Sequence, residues 1–163
     1  ILKARCKKEN IPWTLAQAIM REESGFDPEI VSYANAVGLM QLLPKTASSM
    51  AKRKVSPESL EKPELNIELG VKYLAYLYKR LGHPVLVTAG YNSGPGGVGK
   101  VLKRYSGDQI DEFVENIHFD QTRRYTKRVI SSAWRYQFLY GDPDGVSPLK
   151  LKFNRPDSNQ PDD

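Results

Sequence analysis

The sequence has few of the residues that build disulfide frameworks and metal sites. Its 163 residues include one cysteine, Cys6, which excludes both an internal disulfide and a cysteine-based zinc site. The two histidines, His83 and His118, lie far apart and do not fit a metal-binding spacing such as H-E-x-x-H. We therefore expect no metal and no other cofactor.

Long apolar runs are also missing. No segment approaches the roughly 20 apolar residues that a bilayer-spanning helix needs, so we expect no membrane span in this chain. The chain opens without a charged and then apolar leader, and any signal peptide or upstream domain is expected to lie outside these residues.

Acidic residues are outnumbered, with 19 Asp and Glu against 24 Lys and Arg and a formal net charge of +5. Such an excess favours a polyanionic partner, a class that includes nucleic acid, anionic lipid and acidic cell-wall polymers. One basic run lacks a nucleic-acid recognition motif and is better explained as a solvated helix face: Arg123, Arg124, Lys127 and Arg128. We therefore expect no nucleic-acid partner.

Alternating β-branched runs are largely absent, and helical periodicity dominates, so the sequence predicts a mostly α protein. The first predicted helix runs from a capping box at Thr14 and Gln17 to near Gly25, and a short one begins after Pro44, at Lys45-Thr46-Ala47. Further helices are predicted over 67–81 with Asn66 as N-cap, over 85–91 and 98–105 on either side of a glycine-rich loop, and from near Asp120 to near Gly141. The length suits one domain, which we place at 1–141. We expect 142–163 to be a C-terminal extension or linker that is poorly ordered in part, because the residues from Phe153 onward are polar and have little to bury.

The first long helix carries two adjacent glutamates that its phase distinguishes. At about 100° per residue, Glu23 falls within roughly 10° of the centre of the apolar stripe, and Glu22 falls roughly 90° away. A carboxylate on an apolar face is costly unless it is paired, protonated or facing a cleft, and partial burial raises its pKa toward that of a general acid. Glu23 is therefore a candidate catalytic acid, although the end of a helix also lets a side chain swing into solvent.

Ordered motifs around Glu23 carry a family resemblance. They are Glu23-Ser24-Gly25-Phe26-Asp27-Pro28, Gly38-Leu39-Met40-Gln41-Leu42-Leu43-Pro44, Tyr91-Asn92-Ser93-Gly94-Pro95-Gly96 and Thr122-Arg123-Arg124-Tyr125. From about Ile11 to about Tyr140 the chain resembles the soluble-type lytic transglycosylases. The resemblance implies a lysozyme-like α-helical domain with a glycan-binding cleft that crosses the end of the Glu23 helix, so that 1–141 would be a catalytic domain.

The resemblance also implies an activity. Members of the family cleave the β-1,4 bond between N-acetylmuramic acid and N-acetylglucosamine without water, and they leave a 1,6-anhydromuramoyl end. By similarity, Glu23 would act first as general acid and then as base. The partner would be the glycan strands of peptidoglycan, and the location the bacterial cell envelope, which includes the periplasm.

Other site residues carry over from the same motifs. The resemblance implies substrate-binding roles for Ser32, Gln41, Tyr91, Asn92, Gln121 and Tyr125. Each has a structural alternative, since a loop serine, a core tyrosine or an asparagine that caps backbone would look the same in sequence. Gln121 stands where the family often has a glutamate, and Glu115 is a nearby carboxylate for which a solvated face is the better interpretation. Asn35 replaces a common glycine, and an asparagine tolerates the left-handed backbone such a position needs.

Two other functions stay open on the sequence. A muramidase related to goose-type lysozyme would hydrolyse the same bond with water. A non-catalytic wall-binding module would keep the fold without the reaction, and the absence of a second carboxylate at Gln121 makes this conceivable.

Overall fold

The regular secondary structure of the described residues is helical. The computed structural model describes residues 1–141 and 150–156. Its helices are α1 (Leu2–Lys8), α2 (Trp13–Ser24), α3 (Pro44–Ala51), α4 (Pro57–Leu60), α5 (Pro63–Leu81), α6 (Pro84–Arg104), α7 (Ile110–Glu115) and α8 (Asp120–Tyr140). These ranges contain no strand longer than an isolated bridge, which confirms the predicted mostly α fold. No helix within them is long and apolar enough to cross a membrane.

The chain divides into two compact units, Ile1–Ala75 and Tyr76–Asp163, and the division falls within α5. In the first unit α1 packs against α2. The stripe predicted on α2 is buried, with Leu15, Ala16, Ile19 and Met20 all below one tenth exposed. Burying a side chain such as Ile19 contributes about 1.5–3 kcal/mol, so this face anchors the helix that carries Glu23.

The start of α2 differs from the predicted capping box. The helix begins at Trp13 after Pro12, and no side chain caps it. Thr14 lies one residue inside the helix and is buried. The end of α2 is as predicted, because Gly25 takes a left-handed conformation (φ 60°) and its N–H donates to the carbonyl of Arg21.

Asn66 does not cap α5, and this prediction is wrong. The helix begins at Pro63, whose fixed φ suits a first helical position, and the Asn66 N–H already donates to the Lys62 carbonyl. The fully buried Asn66 side chain instead holds three backbone groups at 2.8 Å. Its Nδ2 donates to the carbonyls of Val37 and Leu60, and its Oδ1 accepts the N–H of Met40.

Gly38 is required beside this amide. Its φ is +76°, and a Cβ there would lie 2.5 Å from both Asn66 Nδ2 and the Leu60 carbonyl oxygen. A side chain at this position would therefore push Asn66 away from the backbone groups that it holds. The pair fixes the loop that follows α2.

In the second unit α6, α7 and α8 pack against one another. The predicted glycine-rich loop is a kink rather than a loop, since α6 continues through it with one non-helical residue, Gly94 (φ 73°, ψ 161°). Gly94 breaks the helix and Pro95 restarts it, because a proline suits the first position of the new helical segment. The predicted ends of α5, before Gly82, and of α8, before Gly141, are confirmed.

Residues 150–156 pack onto this second unit. Phe153 is buried, with its ring centroid 6.4 Å from that of His83 and 5.8 Å from that of Phe113. Arg155 donates hydrogen bonds to the carbonyls of Leu102, Tyr105 and Gly107 at the end of α6. The expectation that the residues from Phe153 onward have little to bury is wrong for Phe153. The rest of the predicted extension lies outside the described residues.

Candidate active site

Glu23 lies in the last turn of α2, one residue before the helix ends at Ser24. Both Glu22 and Glu23 are half-buried. The two glutamates therefore differ less in exposure than their positions around the helix axis predict. The reason is position, because the stripe that buries Ile19 and Met20 is not continued by a further turn beyond Ser24.

Ser24 fixes the end of this helix. Its buried hydroxyl lies 3.0 Å from the Met20 carbonyl oxygen and 2.8 Å from the Leu39 carbonyl oxygen, and it accepts the N–H of Phe26 at 3.0 Å. The bond to Leu39 joins the helix end to the loop after it. The backbone at Glu23 is thereby tied to a second part of the chain as well as to α2.

The chain reverses direction directly after Ser24. Gly25 and Phe26 both have positive φ, at 60° and 72°. Asp27 then accepts the N–H of Glu29 on its carboxylate at 2.9 Å, which closes a tight turn. Phe26 is 45% exposed in a conformation that an aromatic residue rarely takes, so the turn is set by its hydrogen bonds rather than by Phe26 itself.

Ser32 sits in a second closed turn. Its hydroxyl accepts the N–H of Ala36 at 3.0 Å, and its own N–H donates to the Ala36 carbonyl at 2.9 Å. Asn35 takes the left-handed conformation predicted for it, with φ 60°. A hydroxyl that accepts one bond can still donate one, so Ser32 keeps a donor for a ligand.

Gln41 holds the base of the same turn. Its Nε2 donates to the Ile30 carbonyl at 2.9 Å and to the Gly38 carbonyl at 3.1 Å. These bonds match the structural alternative for this residue, and they leave Oε1 as the atom that a ligand would contact. Glu23, Ser32 and Gln41 thus belong to one segment of the first unit, connected through Ser24 and the loop over 30–42.

The remaining predicted residues lie in the second unit. Tyr91 is half-buried on α6, and the next residue, Asn92, accepts a hydrogen bond at 2.8 Å from the hydroxyl of Thr122 on α8. Gln121 is exposed in the first turn of α8, and Tyr125 is buried one turn later at 4% exposure. The two motifs therefore meet through Asn92 and Thr122, a contact that the motifs did not indicate.

Two further features bear on the chemistry. Glu115 is exposed and pairs with Lys127 at 2.6 Å, which agrees with its interpretation as a solvated residue. Within the described ranges, no three His, Cys, Asp or Glu side chains are grouped as a metal ion would require.

A family model for the transglycosylase SLT domain matches residues 1–114. The chain belongs to this family. The chain is 38% identical over 150 residues to the soluble lytic murein transglycosylase of Escherichia coli (strain K12). That match covers 87% of this chain and 23% of the relative. The resemblance drawn from the motifs is confirmed.

Solved structures agree with this assignment. The chain matches the 70 kDa soluble lytic transglycosylase of E. coli with a TM-score of 0.85 and 35% identity, over 94% of this chain and 26% of that one. It matches an inactive mutant of the lytic transglycosylase Slt from Pseudomonas aeruginosa with a TM-score of 0.79 and 35% identity, over 83% of this chain and 23% of that one. The lysozyme-like helical fold is thus confirmed, and the chain spans about a quarter of the length of these relatives.

Proposed function

We propose that this domain is the catalytic domain of a peptidoglycan lytic transglycosylase, with Glu23 as its acid and base. One observation carries the assignment of Glu23. The residue lies in the last turn of α2, and the hydroxyl of its neighbour Ser24 joins that turn to the Leu39 carbonyl at 2.8 Å. A proton donor held in this way by the backbone has a defined position relative to a bound substrate.

The reaction needs one carboxyl group in two protonation states. Protonated Glu23 gives its proton to the glycosidic oxygen as the bond from that oxygen to C1 of N-acetylmuramic acid breaks. The oxygen of the C6 hydroxyl of the same sugar then bonds to C1, and its proton passes to the Glu23 carboxylate. An internal hydroxyl replaces water, so no second carboxylate is needed to activate a nucleophile, and Gln121 is compatible with the reaction.

The other residues would bind the strand. Ser32 would donate its hydroxyl hydrogen, and Gln41 would accept through Oε1, because its Nε2 is bonded to Ile30 and Gly38. We extend the proposal of strand binding to Tyr91, Asn92, Gln121 and Tyr125, for which it rests on the family motifs. The substrate would be the glycan strands of peptidoglycan, which places the protein in the bacterial cell envelope, and the periplasm suits this reaction.

The products test this proposal directly. Mass spectrometry of peptidoglycan digested by the domain should find 1,6-anhydromuramoyl ends. Reducing muramic acid ends would instead identify a hydrolase of the goose-type lysozyme kind. A domain that binds the wall and releases no product would be the non-catalytic module.

Substitution of the acid tests the catalyst. Glu23→Gln should lower the cleavage rate by at least about 100-fold, because an amide cannot donate the proton. The inactive P. aeruginosa enzyme carries glutamine in place of a glutamate, which makes this the natural substitution. Glu22→Gln is the matched control, since it changes an adjacent glutamate of the same half-buried class, and it should keep the parent rate. Equal rates for Glu23→Gln and the parent chain would remove Glu23 from the mechanism.

A further inference from the structure

Exposed apolar side chains follow the candidate acid along the chain. Five large ones lie between the end of α2 and the start of α3: Phe26, Ile30, Val31, Tyr33 and Leu43. Single exposed apolar residues are normal on a protein surface, whereas a concentration in one segment indicates a binding surface. Tyr33 is the extreme member, with a relative exposure of 107%.

The turn that carries Tyr33 is closed by hydrogen bonds on both sides of it. Ser32 exchanges two bonds with the backbone of Ala36, through its own N–H and its hydroxyl, at 2.9 and 3.0 Å. The Asn35 N–H donates to the Ser32 carbonyl at 2.9 Å. The ring of Tyr33 is therefore presented on a backbone that is already ordered, which lowers the entropy cost of binding a ligand there.

The same turn is connected to the neighbour of Glu23. The Ile30 carbonyl accepts both the Gly38 N–H and Gln41 Nε2, each at 2.9 Å. The carbonyl of Leu39, the residue after Gly38, accepts a hydrogen bond from the Ser24 hydroxyl. The turn and the end of α2 thus form one hydrogen-bonded segment within the first unit, so hydrogen bonds connect the backbone that carries Tyr33 to the helix end that carries Glu23.

The chemistry of an exposed tyrosine ring suits a sugar. The face of an aromatic ring carries partial negative charge, and the C–H groups on one side of a pyranose carry partial positive charge. Such a contact needs an open ring face and does not depend on a hydrogen bond to the hydroxyl. It adds affinity without taking part in proton transfer. A tyrosine that is exposed on a rigid turn meets these requirements.

We propose that Tyr33 stacks its ring on the C–H face of a pyranose in the glycan strand that binds at Glu23. The inference rests on the proposed function and deepens it. Tyr33 contributes to binding of the strand, and Glu23 contributes to cleavage of the bond.

The test measures binding and catalysis separately in the full chain. Binding is measured by calorimetry in the Glu23→Gln background, with a peptide-free tetrasaccharide of alternating N-acetylglucosamine and N-acetylmuramic acid. Addition of Tyr33→Ala should raise Kd about 5-fold, as expected for the loss of one aromatic contact. Tyr33→Phe and Tyr33→Trp keep a ring face and should stay within about 2-fold of the background chain. In chains that retain Glu23, Tyr33→Ala should raise KM and leave kcat unchanged.

The matched control is Phe138→Ala on α8, which removes an aromatic ring that is 80% exposed outside this segment. It should leave Kd and KM unchanged. An unchanged Kd for Tyr33→Ala would overturn the inference, and so would a loss for Tyr33→Phe equal to that for Tyr33→Ala, which would show that the hydroxyl carries the contact.

The two proposals fail in different ways. If Glu23→Gln cleaves as fast as the parent chain, the proposed function is contradicted. A rise in Kd on Tyr33→Ala would still support the stacking contact in that case. A parent chain that cleaves through Glu23 with a Kd that is insensitive to Tyr33 contradicts only the inference about Tyr33. A chain that neither binds nor cleaves the glycan overturns both.

Discussion

The loop after α2 and the α6 to α8 region hold their candidate residues by different forces. Polar side chains bonded to backbone hold the loop, with Ser24 and Asn66 buried among carbonyl and N–H groups. Apolar packing holds the second region, where Phe113 and Val129 are fully buried and Phe153 packs against Phe113. A hydrogen-bonded loop defines atom positions closely but fails when one partner is lost, whereas packing tolerates substitutions of similar volume.

The largest effect on stability should follow from replacing Asn66, whose side-chain amide holds the loop after α2. Asn66→Leu keeps the number of side-chain heavy atoms and removes the partner of the Leu60 carbonyl and of the Met40 N–H, whereas the Val37 carbonyl still accepts the Leu42 N–H. Each of the two unsatisfied buried groups costs about 1–3 kcal/mol, so the free energy of unfolding should fall by about 2–6 kcal/mol. Urea denaturation measures this loss. A loss below about 1 kcal/mol would show that the loop does not depend on the amide.

In the second unit, the loss of stability should depend on how much side-chain volume a substitution removes. Phe153→Ala should lower the free energy of unfolding by about 3 kcal/mol, and Phe153→Leu by less than about 1.5 kcal/mol, because leucine refills much of the space. The same urea denaturation applies. Equal losses for the two variants would contradict the contrast with Asn66, where a substitution of similar volume is expected to be severe.

The same contrast explains which parts of the fold the sequence predicts. The apolar stripe of α2 follows from periodicity, and the ends of α5 and α8 follow from Gly82 and Gly141, which are local signals. The partners of Asn66 lie up to 29 residues away, and such contacts leave no periodic trace. For this reason the sequence predicts Asn66 as the cap of α5, whereas the helix begins three residues earlier, at Pro63.

The candidate site shows the same division. The motifs identify Glu23, Ser32 and Gln41, and their roles in catalysis and binding stay predictions. Ser24 lies within a motif, but its bond to Leu39 spans 15 residues and appears only in the structure. The sequence does not predict the burial of Phe153 for a related reason, because the residues around this one aromatic side chain are polar.

A smaller effect on stability should accompany a clear effect on cleavage at Ser24. Ser24→Ala removes the bond to Leu39 and should cost about 1–2 kcal/mol of stability. It should also lower kcat/KM on peptidoglycan by about 10-fold, because Glu23 loses its link to the loop. Ser48→Ala is the control, since its hydroxyl accepts the Val55 N–H at 3.0 Å elsewhere in the first unit. Equal losses of activity in the two variants would show that Ser24 acts through stability alone.

The smallest effect concerns the pH dependence of the segment around Phe153. His83 Nδ1 accepts the N–H of Val85 at 3.2 Å, which requires the neutral ring, and Nε2 then donates to the Lys150 carbonyl at 3.0 Å. Burial lowers the pKa of His83 below its ordinary 6.5, and proximity to Lys150 adds to this, whereas the bond to the Lys150 carbonyl opposes it. The unfolded chain therefore binds a proton at a pH where the folded chain does not. The contribution of His83 to stability is present above about pH 6.5 and is lost as the pH falls below it.

Thermal unfolding at pH 7.5 and pH 5.5 should reveal this loss. The Tm of the parent chain should fall further between pH 7.5 and pH 5.5 than the Tm of His83→Asn. An asparagine at the N-cap of α6 can still accept a backbone N–H, and it does not titrate. His118→Asn is the matched control, since His118 is exposed, and it should follow the parent chain. An equal decrease in Tm for His83→Asn and the parent would place the acid sensitivity elsewhere. A larger decrease in the parent would show that one polar contact also governs part of the second unit, where packing otherwise dominates.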